Sequence, residues 1–274
     1  MTEPSKVETV QIASHQRLRR TWQATEPWAT VLIVHGLAEH SGRYERTGGL
    51  LAEAGLTVYS FDLCGHGSSA GDRCHVDQFS DYLDEVEEEL AAVRVAGLPV
   101  VLLGHSLGGL IVLDYLTSDR PAPDFAVASA PGLGGGKAWQ RALAPVLGRF
   151  VPKLGIPTAI AGEQLSRDPA VGEAYFADPL VSTKTTARLG AELFEAGNRV
   201  RRRLGNLSVP TLVIHGGADD VVPPSISAPL ADLPGVERRL YPKLRHEPLN
   251  EPEGPEVVAD IVGWLRSAVA GPSV

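Results

Sequence analysis

The run Gly104-His105-Ser106-Leu107-Gly108 is the strongest chemical signal in the sequence. It follows an apolar run at 99–103 that is typical of a buried strand, and it opens a predicted helix. A serine in a strained turn between strand and helix has its hydroxyl lifted clear of the sheet, and small residues on both sides let the backbones approach. The free N–H groups at the helix start can stabilise an oxyanion. Ser106 is therefore predicted to be a nucleophile that attacks a carboxylic ester.

Ser106 needs a base to remove its proton and a carboxylate to orient that base. Where a parallel sheet carries such a serine turn, the chain order is serine, acid, histidine, and only His215 and His246 follow Ser106. His215 lies in the same turn as the candidate acids, which leaves it badly placed to reach the serine. His246 lies in a loop ahead of the last predicted helix, where its ring can reach over the sheet edge. His246 is therefore predicted to be the base.

The acid is expected in the run His215-Gly216-Gly217-Ala218-Asp219-Asp220, which ends a predicted buried strand. Catalytic groups gather at the carboxyl ends of strands in open α/β sheets. The spacing favours Asp219 as the acid. Asp220 is the alternative, interpreted as facing solvent or holding the turn.

An oxyanion hole requires two backbone N–H groups near the serine. One is expected from Leu107, the residue after the nucleophile, and the other from Leu37 in the loop after an earlier strand. His35 and His40 lie in that same loop. Because both precede the nucleophile in the chain, they are interpreted as residues that shape the loop rather than as further bases.

These side chains require a scaffold, and predicted strands and helices alternate along most of the chain. Alternation of this kind predicts an α/β fold, with a mostly parallel eight-stranded sheet flanked by helices. The first two strands are expected to form a hairpin at a sheet edge. The predicted strands are 7–13, 18–23, 29–34, 56–61, 99–103, 125–129, 210–214 and 236–241, and the predicted helices of this region are 43–53, 78–96, 107–117, 226–233 and 255–269.

The alternation breaks at residues 132–207, which carry three successive glycines, several prolines and helical patches at 139–150, 170–176 and 187–203. A helical insertion within a parallel sheet explains this pattern. We therefore expect a core domain of residues 1–131 and 208–274, with residues 132–207 forming a helical cap, or lid.

The composition of the 274 residues excludes several classes of function. A net charge of −8 without a long basic cluster argues against nucleic-acid binding. No stretch of about 18 apolar residues is present, and the first residues contain no apolar signal segment, so a cytoplasmic location, peripheral to membrane at most, is predicted.

Two charge runs and two cysteines complete the list of candidate features. The basic run at 199–203 is interpreted as the solvated end of a helix, and the acidic run at 85–89 as a solvated helix face rather than a metal site. Cys64 and Cys74 have no zinc-binding spacing. They are expected to be free thiols, with a bridge between them as the alternative.

Several segments together resemble the bacterial branch of the monoacylglycerol lipases, in the α/β-hydrolase superfamily, and the resemblance covers about residues 8–266. The run from His35 to Tyr44 is the most specific of them, since many α/β-hydrolases lack it. The other segments are Phe61 to Ser69, Gly104 to Gly109, Tyr175 to Leu180, His215 to Asp219 and His246 to Pro252.

The resemblance implies a lid-covered serine lipase that cleaves single-chain glycerides to fatty acid and glycerol, without a metal or organic cofactor, as a monomer or homodimer. It also implies that Glu39, Arg43 and Tyr175 lie near the polar end of the substrate pocket. The alternative for Glu39 and Arg43 is a surface ion pair at the start of a helix. The animal enzymes have a second histidine where this chain has Leu249, so the resemblance does not extend to glycerol recognition from that side.

A long acyl chain requires an apolar tunnel, which the cap is expected to supply. Its apolar side chains are predicted to pack against the core, to line the tunnel and to touch a membrane or lipid surface transiently. Leu143 and Leu147 are among the side chains expected to line the tunnel. These side chains are Leu143, Val146, Leu147, Phe150, Val151, Leu154, Ile156, Ile160, Leu189, Leu193 and Phe194.

The same nucleophile, acid and base also fit other functions. A short-chain carboxylesterase, a lysophospholipase and a cofactor-free haloperoxidase remain as alternative enzymes. Dehalogenases and epoxide hydrolases are disfavoured because they have an aspartate where this chain has Ser106. A non-catalytic binding module is the alternative outside the enzymes. Such a module would lack the nucleophile, the acid or the base.

Overall fold

An eight-stranded β-sheet forms the centre of the computed structural model, which describes residues 4–13, 15–134 and 138–271. Gly135 and Gly136, two of the three successive glycines, lie outside the described residues. The strands are β1 (Lys6–Ile12), β2 (His15–Trp22), β3 (Ala29–Val34), β4 (Leu56–Phe61), β5 (Val100–His105), β6 (Phe125–Ser129), β7 (Gly155–Pro157), β8 (Lys184–Thr186), β9 (Thr211–Gly216) and β10 (Val236–Tyr241).

The sheet has the order β1-β2-β4-β3-β5-β6-β9-β10, which confirms the predicted fold class. The pairs β1/β2 and β2/β4 are antiparallel and all other pairs are parallel. The predicted hairpin is therefore present and lies at one edge. Strands β3, β5 and β9 are buried along their whole length, as their continuous apolar sequences require in a sheet covered on both faces.

Helices cover both faces of this sheet. One face packs against α1 and α8, and the other against α2, α3 and α7. The helices are α1 (Glu45–Glu53), α2 (Ser80–Val93), α3 (Leu107–Leu116), α4 (Ala138–Phe150), α5 (Gly162–Leu165), α6 (Pro169–Ala177), α7 (Ala187–Arg203) and α8 (Gly254–Ala270). Within the described residues, none combines the length and apolar character that crossing a bilayer requires.

Short 3-10 turns occupy several connections, and one of them corrects a prediction. The expected helix at 226–233 is instead a pair of 3-10 turns, because Pro223, Pro224 and Pro229 lack the N–H groups that an α-helix needs. The turns are Ser41–Tyr44, Leu204–Asn206, Pro224–Ile226, Ala228–Asp232 and Pro248–Asn250.

Residues 132–207, here called the insert, lie between the neighbouring strands β6 and β9. The insert contains α4 to α7, and the three helices predicted from its sequence match α4, α6 and α7 within two residues. The antiparallel pair β7/β8 was not predicted, since each strand is only three residues long. Helix α7 is held to α3 by Arg199, which donates to the fully buried Asp114 with an Nε–Oδ1 distance of 3.0 Å.

The acidic run on α2 is only partly the solvated face that the sequence predicted, since Glu88 is exposed and Glu87 is half-buried. Glu85 and Glu89 are buried and receive hydrogen bonds from Arg17 and Arg19 of the edge hairpin, with Nε–O distances of 3.0 and 2.8 Å. Burial raises the pKa of both carboxyl groups, and the two arginines partly oppose that rise. These pairs therefore fasten the edge hairpin to the helix layer. Cys64 and Cys74 are free, as expected.

The Arg17 to Glu85 pair allows a test of this attachment. Replacing Arg17 by Met leaves a buried carboxylate without its cation, so we expect the free energy of unfolding to fall by about 3 kcal/mol. The Arg17→Met/Glu85→Leu double variant should recover most of that loss, because no unpaired charge stays buried. Denaturant unfolding at pH 7 measures both changes.

A matched control is Arg120→Met, which breaks surface ion pairs to the same helix at Asp84 and Glu87. This change should cost about 1 kcal/mol or less. Equal losses for Arg17→Met and Arg120→Met would contradict the structural role assigned to the buried pair.

Candidate active site

Ser106 lies in the turn between β5 and α3 with a strained backbone, at φ 53° and ψ −110°. A side chain at Gly104 would overlap the carbonyl of Gly108, and one at Gly108 would overlap the carbonyl of Val34 on β3. Both glycines are therefore required by close backbone contact. This turn places the Ser106 side chain at the carboxyl edge of the sheet, where it is partly exposed to a cavity.

The structure brings Ser106, His246 and Asp219 together. The Nε2 atom of His246 is 3.0 Å from Ser106 Oγ, and its Nδ1 atom is 2.8 Å from Asp219 Oδ2. Because a carboxylate only accepts, Nδ1 carries the proton and Nε2 accepts from the serine hydroxyl. Asp219 is 3% exposed, whereas the alternative acid, Asp220, is exposed.

Asp219 is held in its ionised form by four hydrogen bonds. Its Oδ1 atom accepts from the backbone N–H groups of Val221 and Val222 at 2.9 and 2.8 Å, and Oδ2 accepts from His246 and from His215 at 3.2 Å. Burial alone would raise the pKa of this carboxyl group. The two histidines and the backbone donor instead hold its pKa well below the usual range.

Leu37 and Leu107, the expected oxyanion donors, both line the cavity beside Ser106. Leu107 is the first residue of α3, so its N–H has no partner within the helix. The loop that carries Leu37 is fixed by its neighbours. Gly36 donates its N–H to Glu39 Oε1 at 2.6 Å, and the His35 ring accepts from Leu63 N at 3.0 Å.

His40 joins this loop to the insert. Its Nδ1 accepts from Gly42 N at 3.1 Å, so its Nε2 donates to Asp178 at 2.8 Å. The N–H of Ser182 also donates to the carbonyl of Ala38 at 2.8 Å. Neither His35 nor His40 is near enough to hydrogen-bond Ser106, and both rings bond to the loop around them.

Glu39 and Arg43 form a buried network and not the surface ion pair considered as the alternative. Arg43 donates to Glu39 and also, at 2.8 Å through each terminal nitrogen, to both oxygens of Glu247. Burial opposes the ionisation of Glu39, but the charge of Arg43 lowers its pKa to about 2. The sequence analysis did not predict Glu247 as a residue of this site, although it directly follows His246 in the segment from His246 to Pro252 that carries the family resemblance.

Tyr175 completes this polar region. The Arg43 guanidinium carbon lies 4.8 Å from the centre of the Tyr175 ring, and the ring is 3% exposed. Among the described residues, its hydroxyl has no hydrogen-bond partner. Leu249 is buried in the core beneath α1 and α8 and does not line the cavity.

A cavity of about 570 Å³ contains Ser106 and His246 in its wall. Glu39, Arg43, Tyr175 and Glu247 make part of that wall polar. Three of the apolar insert residues predicted to line a tunnel, Ile160, Leu193 and Phe194, do line this cavity. Leu143 and Leu147 do not line it, because the apolar side of α4 that carries Leu143 faces outward.

The basic run at the end of α7 is only partly the solvated helix end that was predicted. Arg199 is paired with buried Asp114, and Arg201 lies in the cavity wall. Arg201 donates to the carbonyl of Leu133 and, at 2.6 Å, to Asn198 Oδ1. Within the described parts of the chain, it pairs with no carboxylate. Arg201, Arg202 and Arg203 are all exposed, as predicted.

The pKa of Glu39 leads to a prediction for acid stability. Its pKa is about 2 in the folded protein, against an ordinary value of 4.5, so the unfolded chain binds the proton more tightly. The stabilisation of the folded protein by ionised Glu39 is therefore complete above about pH 4.5 and is lost as the pH falls towards 2. Glu39→Gln should lower the free energy of unfolding at pH 7 by a few kcal/mol and flatten its pH dependence in that window.

Urea unfolding at several pH values measures this effect. The control is Glu53→Gln on α1, since Glu53 is exposed and should leave the wild-type pH profile unchanged. If Glu39→Gln and wild type lost stability in parallel between pH 4.5 and 2, the electrostatic role of Glu39 would be wrong.

Comparison with known proteins places this geometry in a family. The Hydrolase_4 family model, described as serine aminopeptidase, S33, matches residues 25–253. The chain is 36% identical over 253 residues to a monoacylglycerol lipase of Mycolicibacterium smegmatis, covering 89% of this chain and 90% of that protein. It is 31% identical to the phospholipase YtpA of Bacillus subtilis, covering 86% and 95%.

Among solved structures, the monoacylglycerol lipase of Paleococcus ferrophilus is 33% identical, with a TM-score of 0.82 over 92% of this chain and 98% of that one. The expected resemblance is confirmed over nearly the whole chain by both sequence and structure. The chain therefore belongs to the Hydrolase_4 family of α/β-hydrolases.

Proposed function

We propose that this protein is a serine hydrolase that cleaves monoacylglycerols to a free fatty acid and glycerol. The single observation that carries the proposal is the hydrogen-bonded series from Ser106 through His246 to Asp219, placed in the wall of a cavity that is polar in one part and apolar in another. The enzyme class is that of the carboxylic ester hydrolases, the class of its lipase relatives.

In this mechanism, Ser106 Oγ attacks the ester carbonyl carbon while His246 Nε2 takes the hydroxyl proton. Asp219 stabilises the imidazolium that forms. The tetrahedral oxyanion accepts hydrogen bonds from the N–H groups of Leu37 and Leu107. His246 then gives its proton to the departing glycerol oxygen, which leaves an acyl-enzyme on Ser106, and a water activated by His246 releases the fatty acid.

The cavity explains why a single-chain glyceride fits. Glu39, Arg43 and Tyr175 are proposed to hold the glycerol. The Tyr175 hydroxyl has no hydrogen-bond partner among the residues that the structure describes, so it is available for a substrate hydroxyl. Leu193 and Phe194 offer an apolar wall for the acyl chain. No metal or organic cofactor takes part in the proposed steps.

Residues 132–207 are proposed to act as a cap over a core domain formed by 1–131 and 208–274. The outward side of α4 exposes large apolar side chains, including Trp139 at 60% and Phe150 at 73%. A surface of this kind suits transient contact with the lipid phase that delivers the substrate. A cytoplasmic, membrane-peripheral location agrees with this proposal.

A lysophospholipid is the second candidate substrate. Arg201 lies in the cavity wall without a carboxylate partner among the described residues, and a guanidinium there suits a phosphate group. The similarity to a protein named as a phospholipase supports the same candidate.

The two adjacent aspartates allow a matched test of the mechanism. Ser106→Ala and Asp219→Asn should each lower kcat for ester hydrolysis by at least about 10³-fold, because nucleophile and base act as a unit. Asp220→Asn changes the same charge one residue away and should stay within about twofold of wild type. Steady-state kinetics on a monoacylglycerol measures all three, and retained activity in Ser106→Ala would refute the acyl-enzyme.

A substrate series separates the two candidate substrates. Monoacylglycerols of rising chain length would be compared with di- and triacylglycerols, a lysophospholipid and a nitrophenyl ester. We expect kcat/KM to be highest for monoacylglycerols. Two results together would favour the second candidate. They are a higher kcat/KM for lysophospholipid than for monoacylglycerols, and a drop of about tenfold in that ratio in Arg201→Gln, because a charge-assisted contact would be lost.

A further inference from the structure

Asp219 is bonded to a second histidine that the mechanism above does not use. The Nε2 atom of His215 is 3.2 Å from Asp219 Oδ2 and 2.9 Å from the carbonyl oxygen of Val222. The His215 ring is fully buried at the end of β9. A buried ring with both nitrogens bonded has a single orientation, which makes its protonation pattern readable from its partners.

The partners of Nε2 fix the tautomer of His215. A backbone carbonyl and a carboxylate only accept hydrogen bonds, so Nε2 must carry the proton that both of them share. In the neutral ring, the other nitrogen, Nδ1, then accepts. Its partner is the Ser227 hydroxyl, 2.8 Å away.

Arg238 on β10 fixes the direction of the Ser227 hydroxyl in turn. Its Nε donates to Ser227 Oγ at 3.0 Å, and one terminal nitrogen donates to the carbonyl oxygen of Pro224 at 2.8 Å. A guanidinium has no acceptor, so Ser227 must receive this bond and send its own proton elsewhere. The possible acceptors of that proton are His215 Nδ1 at 2.8 Å and the Pro224 carbonyl oxygen at 3.2 Å, which already accepts from Arg238. His215 is the nearer acceptor and receives no other hydrogen bond at Nδ1, so Ser227 donates to it.

We infer that His215 is a positioning residue for Asp219, and that Arg238 and Ser227 keep it in the tautomer that donates to the carboxylate. Four residues are then bonded in one direction, from Arg238 through Ser227 and His215 to Asp219. With the other tautomer, a lone pair would face Asp219 Oδ2 and the Val222 carbonyl. This inference rests on the proposed role of Asp219.

The consequence for the reaction is geometric. The two backbone donors on Oδ1 leave the carboxylate free to tilt about that oxygen, and His215 restrains the oxygen that orients His246. Because small displacements of reacting groups cost large factors in rate, loss of this restraint should lower kcat. His215 itself does not line the cavity, so KM should stay nearly constant.

The experiment uses the full-length protein with 4-nitrophenyl butyrate, a soluble ester that reports on the triad without the cap's lipid surface. We expect His215→Leu to lower kcat by about 10- to 100-fold with KM within about twofold of wild type. His215→Gln, which keeps a donor and an acceptor, should recover most of the loss. Ser227→Ala and Arg238→Met should give smaller losses, about three- to tenfold.

Matched controls make the same kinds of change outside this series. Arg239→Met alters the arginine next to Arg238, which is 31% exposed and bonded to Glu237, and Ser208→Ala alters an exposed serine outside the cavity wall. Both changes should leave kcat unchanged. The proton NMR signal of the hydrogen between His246 Nδ1 and Asp219 provides a direct readout. We expect the chemical shift of this signal to change in His215→Leu and to return to its wild-type value in His215→Gln. Each kcat is calculated per amount of folded protein, which circular dichroism measures.

Three outcomes would overturn the inference. They are an unchanged kcat in both His215→Leu and Ser227→Ala, a loss that only follows the amount of folded protein, and a His215→Gln variant as impaired as His215→Leu. Failure of the proposed function has a different signature. In that case wild type itself would show no ester turnover that depends on Ser106, whatever the other variants did.

Discussion

The close contact between the backbones of β3, β5 and α3 is the constraint on which the site depends. Gly104 and Gly108 allow the three elements to meet with no side chain between them, and only then does Ser106 hold its positive φ. The same contact directs the loop after β3 and the start of α3 towards one point. The proposed nucleophile and the two proposed backbone donors can therefore converge without any long side chain to position them, and such preorganisation favours ester hydrolysis.

Around that point, buried charge is balanced locally. Asp219 has four donors, and Arg43 lies between Glu39 and Glu247. A buried carboxylate without such partners would take up a proton. Asp219 and Glu39 therefore stay charged because their neighbours replace the water they have lost, and the same neighbours keep them from moving.

The sequence predicted those features that local patterns encode. Strands β3, β5 and β9 are continuous apolar runs, and Ser106, Asp219 and His246 each follow a strand, so their convergence at one sheet edge follows from topology. Glu85 and Glu89 were misinterpreted because their arginines lie about 70 positions earlier in the chain. Helical spacing predicted that the acids lie around the helix, but it held no information about a distant hairpin.

The loop after β3 is bonded to the insert at two places, from Ser182 to Ala38 and from His40 to Asp178. In evolutionary terms, the insert is not a freely exchangeable module. A lineage that replaced residues 132–207 by a segment of different shape would also disturb the backbone next to Leu37, unless matching changes arose at 38–40. Diversification of substrate range in this family is therefore expected to proceed by paired changes in two segments far apart in the gene.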